Sequence, residues 1–222
     1  MIHQLQNIPR SWSRAWSSRS FRNQFALTIL FFIGVGIHQF HFLRLWQARP
    51  GLQVNDLVLN FLPPHNFSWL IFFFEYSTML MVFIYLLPSP DRLIKGIQMF
   101  ALVLFARTLS IYLFPLEPPR DMIFLEDPMA NLFLHTKDVI VTKDLFFSGH
   151  VSAIFLLLLL IEDKWLKRYA TVSAMAVTFM ILCQHCHYSM DVLIGIIVSY
   201  STYKFVLFFH KETKYGLELK DA

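Results

Sequence analysis

Six mostly apolar stretches run through this chain, and each is about as long as a helix needs to be to cross the ~30 Å hydrocarbon core of a bilayer. Apolar residues make up 56% of the 222 residues and charged residues 15%, a balance that is unusual for a soluble domain of this size. The sequence therefore predicts an all-α, polytopic membrane protein with six transmembrane helices. The predicted spans run from Phe25 to Leu45, Phe67 to Leu87, Ile94 to Phe114, Leu145 to Ile161, Tyr169 to Cys186 and Tyr188 to Phe209.

Positive charges fall on one side of this predicted topology, and cytoplasmic loops are the ones that retain Lys and Arg. The cationic residues of that side are Arg10, Arg14, Arg19, Arg22, Arg92, Lys95, Lys164, Lys167, Arg168, Lys211, Lys214 and Lys220. The sequence predicts a basic cytoplasmic segment over residues 1–24, a membrane domain over 25–210 and a cytoplasmic tail over 211–222. The loops of the other side mix both signs: Glu117, Arg120, Asp121, Glu126, Asp127, Lys137, Asp138, Lys143 and Asp144. The basic balance is explained by topology and by attraction to anionic lipid, and it calls for no nucleic-acid partner.

Two short motifs carry the chemistry. His187 and Asp191 are four residues apart, a spacing at which a carboxylate can hold one imidazole nitrogen and leave the other as a nucleophile. Ser148, Gly149 and His150 open the predicted fourth span, where free backbone N–H groups and the helix dipole favour a phosphate. The predicted topology places both motifs on the non-cytoplasmic face. Any one of these histidines alone is more often a core residue, but the ordered pair of motifs indicates phosphoryl transfer.

Two other kinds of site are weaker alternatives. Zinc ligands converge from two segments, so Cys183, Cys186 and their neighbouring histidines on one helix end do not suffice. His38 and His41 have the spacing of a haem pair but lack partner histidines on a second span, since His65, His135 and His210 lie in loops or at ends. We therefore predict no metal and no cofactor. An aromatic cage for a quaternary ammonium from Trp46, Trp69, Tyr76 and Tyr112 is a further alternative, although aromatic residues near span ends are commonly interfacial anchors.

The two motifs resemble those of the lipid phosphatase and phosphotransferase superfamily (PAP2-type), and within it the sphingomyelin synthase branch. Its first signature, Cys-Gly-Asp-x-x-x-Ser-Gly-His-Thr, is similar to residues 142–151, which keep Asp144, Ser148, Gly149 and His150 but replace Cys, Gly and the final Thr. Its second signature, His-x-His-Tyr-x-x-Asp-Val, matches residues 185–192 in full. Weaker similarities are Asp56, Glu75, Arg107 and Tyr112.

This resemblance implies a six-helix membrane core with a His-His-Asp triad that faces the lumen or the exterior. It makes His150, His187 and Asp191 the catalytic residues, and Ser148, Gly149, Asp144, Tyr188, Glu75 and Arg107 the candidate substrate-binding residues. The phosphatases of the superfamily hold phosphate with a Lys-x6-Arg-Pro segment and an Arg shortly before the nucleophilic His, and neither occurs here. Less positive charge suits a phosphodiester monoanion better than a monoester dianion.

Three functions remain open from the sequence. The first is a transferase that moves phosphocholine or phosphoethanolamine from a glycerophospholipid to ceramide or diacylglycerol through a phosphohistidine. The second is a hydrolase of the same fold, either a lipid phosphatase or a phospholipase-C-like enzyme, and the third is a non-catalytic lipid transporter. The sequence does not separate ceramide, diacylglycerol and water as acceptors, because that choice depends on pocket shape and on water exclusion. It also leaves open the roles of Glu75, Arg107 and Lys204, ionisable residues within predicted spans.

Overall fold

The computed structural model describes residues 7–125 and 141–212. Seven α-helices lie in these ranges: α1 Ile8–Ser17, α2 Arg19–Ala48, α3 Ser68–Leu86, α4 Pro90–Leu113, α5 Gly149–Leu160, α6 Lys164–Cys183 and α7 Ser189–Glu212. The described ranges contain no strand, and a 3-10 turn at Leu59–Phe61 and an isolated parallel bridge between Leu52 and Leu116 are the other regular elements there. The all-α, polytopic prediction is confirmed. The predictions for Glu126, Asp127, His135, Lys137, Asp138, Lys214, Lys220 and most of the tail lie outside the described residues.

Five helices are long and apolar enough to cross a membrane, namely α2, α3, α4, α6 and α7. The fourth predicted span, Leu145 to Ile161, differs, because only the 12 residues of α5 are helical. At 1.5 Å per residue this helix is about 18 Å long, well short of the ~30 Å hydrocarbon core. The bundle therefore contains five full-length apolar helices and one that covers a little over half the depth.

The short helix begins late because the chain enters the bundle in a non-helical conformation. Residues 141–145 form no regular element, Phe146 takes a left-handed φ of 82°, and helix α5 starts after Ser148. The Ser148 side chain caps the helix by accepting a hydrogen bond from the backbone N–H of Val151 at 3.4 Å. Leu145, Phe147 and Ser148 are all almost fully buried. The start of α5 is consequently enclosed by protein.

Helix α5 is the centre of the bundle and packs against α3, α4, α6 and α7. Its Val151, Ile154 and Leu156 side chains are at most 1% exposed. Helix α2 packs mainly against α4 and leaves many apolar side chains exposed, as expected for a peripheral helix that faces lipid. The core that positions the two motifs thus consists of α3 to α7.

The two ends of the bundle can be told apart by contacts at the ends of α3. At its start, the backbone N–H of Phe67 donates to Gln184, beside the second motif. At its other end, the Trp12 indole of α1 donates to the carbonyl of Leu87 at 2.8 Å. His210, near the end of α7, bonds to Gln98 in the first turns of α4 at 2.8 Å. Helix α1 and the end of α7 therefore lie at the end opposite to the motifs.

Candidate active site

His187 and Asp191 form a buried pair, as predicted. The Asp191 carboxylate accepts a hydrogen bond from His187 Nδ1 at 3.1 Å and from the backbone N–H of Tyr188 at 3.1 Å. Asp191 is fully buried and His187 is 5% exposed. The two residues do not share a helix, because His187 lies in the five-residue turn between α6 and α7 while Asp191 is in the first turn of α7. The carboxylate therefore reaches back over the helix start and fixes the imidazole, leaving Nε2 as its free nitrogen.

The environment of His187 favours the neutral imidazole. Burial lowers its pKa from the usual 6.5, and the positive charges of His150 and Arg107 act in the same direction, while the hydrogen bond and charge of Asp191 oppose them. A neutral imidazole that donates through Nδ1 carries its lone pair on Nε2. This is the protonation state that a histidine nucleophile requires.

A backbone hydrogen bond joins the two motifs directly. The N–H of Ser148 donates to the carbonyl oxygen of Asp191 at 3.1 Å. Gly195 permits this approach, because a Cβ there would lie 3.2 Å from the carbonyl oxygen of Ser148. One turn further on, the hydroxyl of Ser199 donates to the carbonyl of Ser152 at 2.9 Å. Gly195 and Ser199 thus fix the register of α7 on α5. They carry no chemistry, and only their spacing from Asp191 on one helix face indicates their role.

His150 lies in the first turn of α5 and faces Glu75 of α3. Its Nε2 is 3.8 Å from the Glu75 carboxylate, a distance typical of an ion pair but too long for a hydrogen bond. The Nδ1 atom is buried and has no hydrogen-bond partner among the described residues. The edge of its ring meets Phe72, with centroids 5.9 Å apart. The structure therefore brings the predicted residues Glu75 and His150 together.

Arg107 of α4 lies over the start of α5. It forms an ion pair with Asp144, and its Nε donates to that carboxylate at 2.7 Å. A Cβ added to Gly149 would lie 2.6 Å from Arg107 Nη1, so the guanidinium packs directly over the glycine and any larger residue would displace it. The predicted residues Asp144, Gly149 and Arg107 thus form one cluster. They place a guanidinium beside the N-terminal amide groups of a helix, where an anion is favoured.

The turn that carries His187 is tied to two loops on the same end of the bundle, namely residues 49–67 and 114–125. The Gln184 side chain, fully buried, accepts from the backbone N–H of Phe67 at 2.9 Å and donates to Ser68 at 2.7 Å. Its backbone carbonyl accepts from the N–H of Ile123 at 3.0 Å. The sequence analysis missed Gln184, and its only signal was a polar residue at an apolar helix end. These bonds hold the turn from the side facing away from the site.

Tyr188, predicted to bind substrate, has its hydroxyl engaged elsewhere. The hydroxyl donates to the carbonyl of Glu117 at 2.8 Å and accepts from the N–H of Val54 at 3.4 Å. The side chain is 1% exposed. These contacts hold the turn to both external loops, and a contact between Tyr188 and substrate stays a prediction.

Asp56 contacts the start of the helix that carries Asp191. Its carboxylate accepts from the backbone N–H of Ser189 at 2.6 Å and from that of Val58 at 2.9 Å. Burial raises the pKa of Asp56, but these hydrogen bonds outweigh it and hold the pKa below its usual 3.8. The resemblance singled out Asp56 without a role, and the structure gives it one as a cap for α7.

The alternative sites find less support in these contacts. Burial raises the pKa of the Cys186 thiol to about 12, and its Sγ donates to the carbonyl of Ile123, so it is poorly suited to bind a metal as thiolate. Candidate cage residues have different partners: the Arg49 guanidinium lies over the Tyr112 ring, and Trp69 stacks on Phe73. The ammonium of Lys204 lies over the ring of Tyr200, away from the residues above.

The candidate site lies below the end of the bundle. Glu75 is seven residues beyond the start of α3 and Arg107 is six before the end of α4, which puts each about 10 Å inside its helix end. The start of α5 meets Arg107 at Gly149, at the same end of the bundle. Glu75, Arg107 and the start of α5 are thus grouped inside the bundle, and the turn that carries His187 lies next to them.

Comparison with known families finds one match in the second half of the chain. Residues 143–209 match the family described as PAP2 superfamily C-terminal. This segment contains both motifs and supports the PAP2-type superfamily, which suggests phosphatase or phosphotransferase chemistry. No curated protein matches the chain.

Proposed function

We propose that this protein is a phospholipid head-group phosphotransferase. It moves phosphocholine or phosphoethanolamine from a glycerophospholipid to the hydroxyl of ceramide or diacylglycerol, through a phosphohistidine on His187. The observation that carries the proposal is the hydrogen bond from the Ser148 N–H to the carbonyl of Asp191, which holds the His187–Asp191 pair against the helix start that bears His150. In this arrangement a nucleophile and a proton carrier belong to one site.

The charge of the site supports a phosphodiester as substrate. Arg107 contributes one guanidinium, and its charge is largely balanced by Asp144. Lys143, which directly precedes Asp144, is 2.8 Å from Glu117. A monoester dianion needs more positive charge than remains, whereas a diester carries a single negative charge. The site is therefore better matched to a phospholipid with a head group than to a phosphatidic acid.

The first half of the reaction forms the phosphohistidine. Nε2 of His187 attacks phosphorus, the bond between phosphorus and the glycerol oxygen breaks, and protonated His150 gives its proton to that oxygen. Asp191 stabilises the positive charge that forms on His187. Arg107 and the amide groups at the start of α5 bind the non-bridging oxygens.

The second half passes the head group on. Neutral His150 removes the proton from the acceptor hydroxyl, the hydroxyl oxygen bonds to phosphorus, and the bond between phosphorus and Nε2 breaks. His187 returns to the neutral form and His150 to the protonated form. Glu75 lies where its carboxylate pairs with His150 whenever His150 is protonated.

The reaction is proposed for the lumenal or extracytoplasmic face. Helix α1 and the end of α7 lie at the opposite end of the bundle, where the basic residues of the N-terminal segment cluster. Basic segments are retained in the cytoplasm, so the termini belong there and the candidate site belongs on the other side. Labelling of single cysteines introduced at exposed positions such as Leu57 and Trp165 tests this orientation.

A hydrolase that uses water as the acceptor is the second candidate. It is favoured by the Nδ1 atom of His150, which is buried and has no hydrogen-bond partner in the described ranges and can hold a water beside the phosphohistidine. The two candidates share every step up to the intermediate. They differ in whether the acceptor pocket excludes water.

The test is a head-group transfer assay in proteoliposomes. Fluorescent ceramide and fluorescent diacylglycerol are presented in parallel with phosphatidylcholine or phosphatidylethanolamine as donor, for wild type, His187→Ala and the exposed-loop control His65→Ala. Transfer in wild type and in the control, with none in His187→Ala, supports the transferase and names the acceptor. Release of diacylglycerol and free phosphorylated head group without transfer identifies the hydrolase, and absence of both reactions contradicts the proposal.

A further inference from the structure

His185 is buried beside the candidate nucleophile, yet it takes no part in the chemistry above. It is 5% exposed and adopts a left-handed φ of 55°, a conformation that is uncommon for residues other than glycine. Its side chain lies between the two external loops defined above, 49–67 and 114–125. The residue therefore occupies a position where it can act on the geometry of His187, two residues later.

Both ring nitrogens of His185 face backbone carbonyl oxygens. Nε2 is 2.9 Å from the carbonyl of Leu62, and Nδ1 is 3.1 Å from the carbonyl of Arg120. Leu62 belongs to the loop 49–67 and Arg120 to the loop 114–125, so one planar ring contacts the backbone of both loops at once. The ring is also buried, so these contacts are shielded from water. The side chain therefore links both loops to the turn that carries His187.

We propose that His185 is a positioning residue whose ring clamps the external loops 49–67 and 114–125 to the turn that aims His187. The proposal rests on the proposed function for its effect on rate, but the clamp itself is a property of the fold. Loss of the ring frees both loops and loosens the turn. The candidate site would then lose its aim without any change in the catalytic residues.

The direct test is amide hydrogen exchange on wild type and His185→Asn in detergent micelles, since asparagine tolerates the left-handed backbone but is too short to bridge both loops. The amides of His65 and Ile123 bond to the carbonyls of Cys183 and Gln184, across the contacts that the clamp would hold. In His185→Asn we expect their protection to fall at least tenfold, and that of Ser89, at the opposite end of the bundle, to stay constant because the variant is folded. Unchanged protection of His65 and Ile123 in the variant overturns the clamp.

Turnover then tests the link to catalysis. We expect His185→Asn to lower kcat by about tenfold to a hundredfold with little change in KM, because the nucleophile is misdirected while lipid binding persists. His65→Asn is the control, an exposed histidine of the loop 49–67 with one nitrogen on a carbonyl, and should leave kcat unchanged. If wild type shows no turnover, the proposed function fails while hydrogen exchange still decides the clamp. An unchanged kcat in an active His185→Asn overturns the positioning role.

Discussion

The two histidines of the candidate site are held in different ways. His187 is hydrogen-bonded to a buried carboxylate and sits in a turn whose neighbours on both sides bond to external loops. His150 has one nitrogen 3.8 Å from Glu75 and the other without a hydrogen bond in the described part of the chain. A nucleophile attacks along one line and benefits from a fixed orientation. A proton carrier serves two different oxygens in turn, and a looser environment suits that task.

The largest expected effect comes from removing what fixes His187. Asp191→Asn keeps the size of the side chain but removes the charge and allows the wrong tautomer of His187, so we expect kcat to fall about 10³-fold to 10⁴-fold, as in other carboxylate–histidine pairs. Transfer assays on purified variants measure it. Asp91→Asn, on a partly exposed pair with Lys95 at the other end of the bundle, is the control and should retain full activity. A loss below tenfold in Asp191→Asn would mean that the pair does not orient the nucleophile.

A smaller loss of activity is expected from a change at the contact between Arg107 and the start of α5. Gly149→Ala places a methyl group 2.6 Å from Arg107 Nη1, and the guanidinium can move only by disturbing its ion pair with Asp144. We expect kcat/KM to fall about tenfold to a hundredfold, because the anion-binding group is displaced. Gly34→Ala is the matched control, since a Cβ there meets nothing within 4 Å. Equal activity of both variants would remove Arg107 from the site.

The surroundings of His150, which are held by fewer hydrogen bonds, should tolerate substitution better than those of His187. Glu75→Gln keeps the shape of the side chain but removes the charge that pairs with protonated His150, and we expect kcat to fall only about tenfold. Glu162→Gln, an exposed partner of Arg92, serves as its control. A fall as large as that of Asp191→Asn would show that both histidines depend equally on their carboxylates.

The smallest effect concerns the cap that Asp56 provides for α7. Its pKa is depressed in the folded protein, so its contribution to stability is present above the unfolded value near 3.8 and disappears as pH falls through the lower folded value. We expect Asp56→Asn to lower stability by less than about 1 kcal/mol at neutral pH and to match wild type below about pH 3. Thermal unfolding in detergent across pH measures it. Asp163→Asn, at the exposed cap of α6, should show little difference, because Asn caps helices as well as Asp does.

Much of this arrangement could be predicted from the sequence, since apolar length alone indicates five of the spans and two short motifs indicate the triad. The contact between His187 and Asp191 was predicted from helical spacing, and the contact is confirmed although His187 lies outside the helix. The length of α5 could not be predicted, because the apolar residues 145–148 are buried in a non-helical conformation and hydropathy does not distinguish that from a helix. Gln184 and His185 were also missed as structural residues, because their hydrogen-bond partners lie far away in the sequence.

The shortness of α5 has a consequence for how lipids reach the site. Phosphate groups of a bilayer lie outside its hydrocarbon core, whereas the start of α5 packs against Arg107, about 10 Å inside the end of α4, a helix long enough to span that core. A donor lipid therefore has to sink, or the leaflet has to thin, before its phosphorus meets His187. In reconstituted bilayers the turnover rate should then rise as the acyl chains are shortened, because a thinner bilayer brings the lipid phosphates closer to the depth of the site.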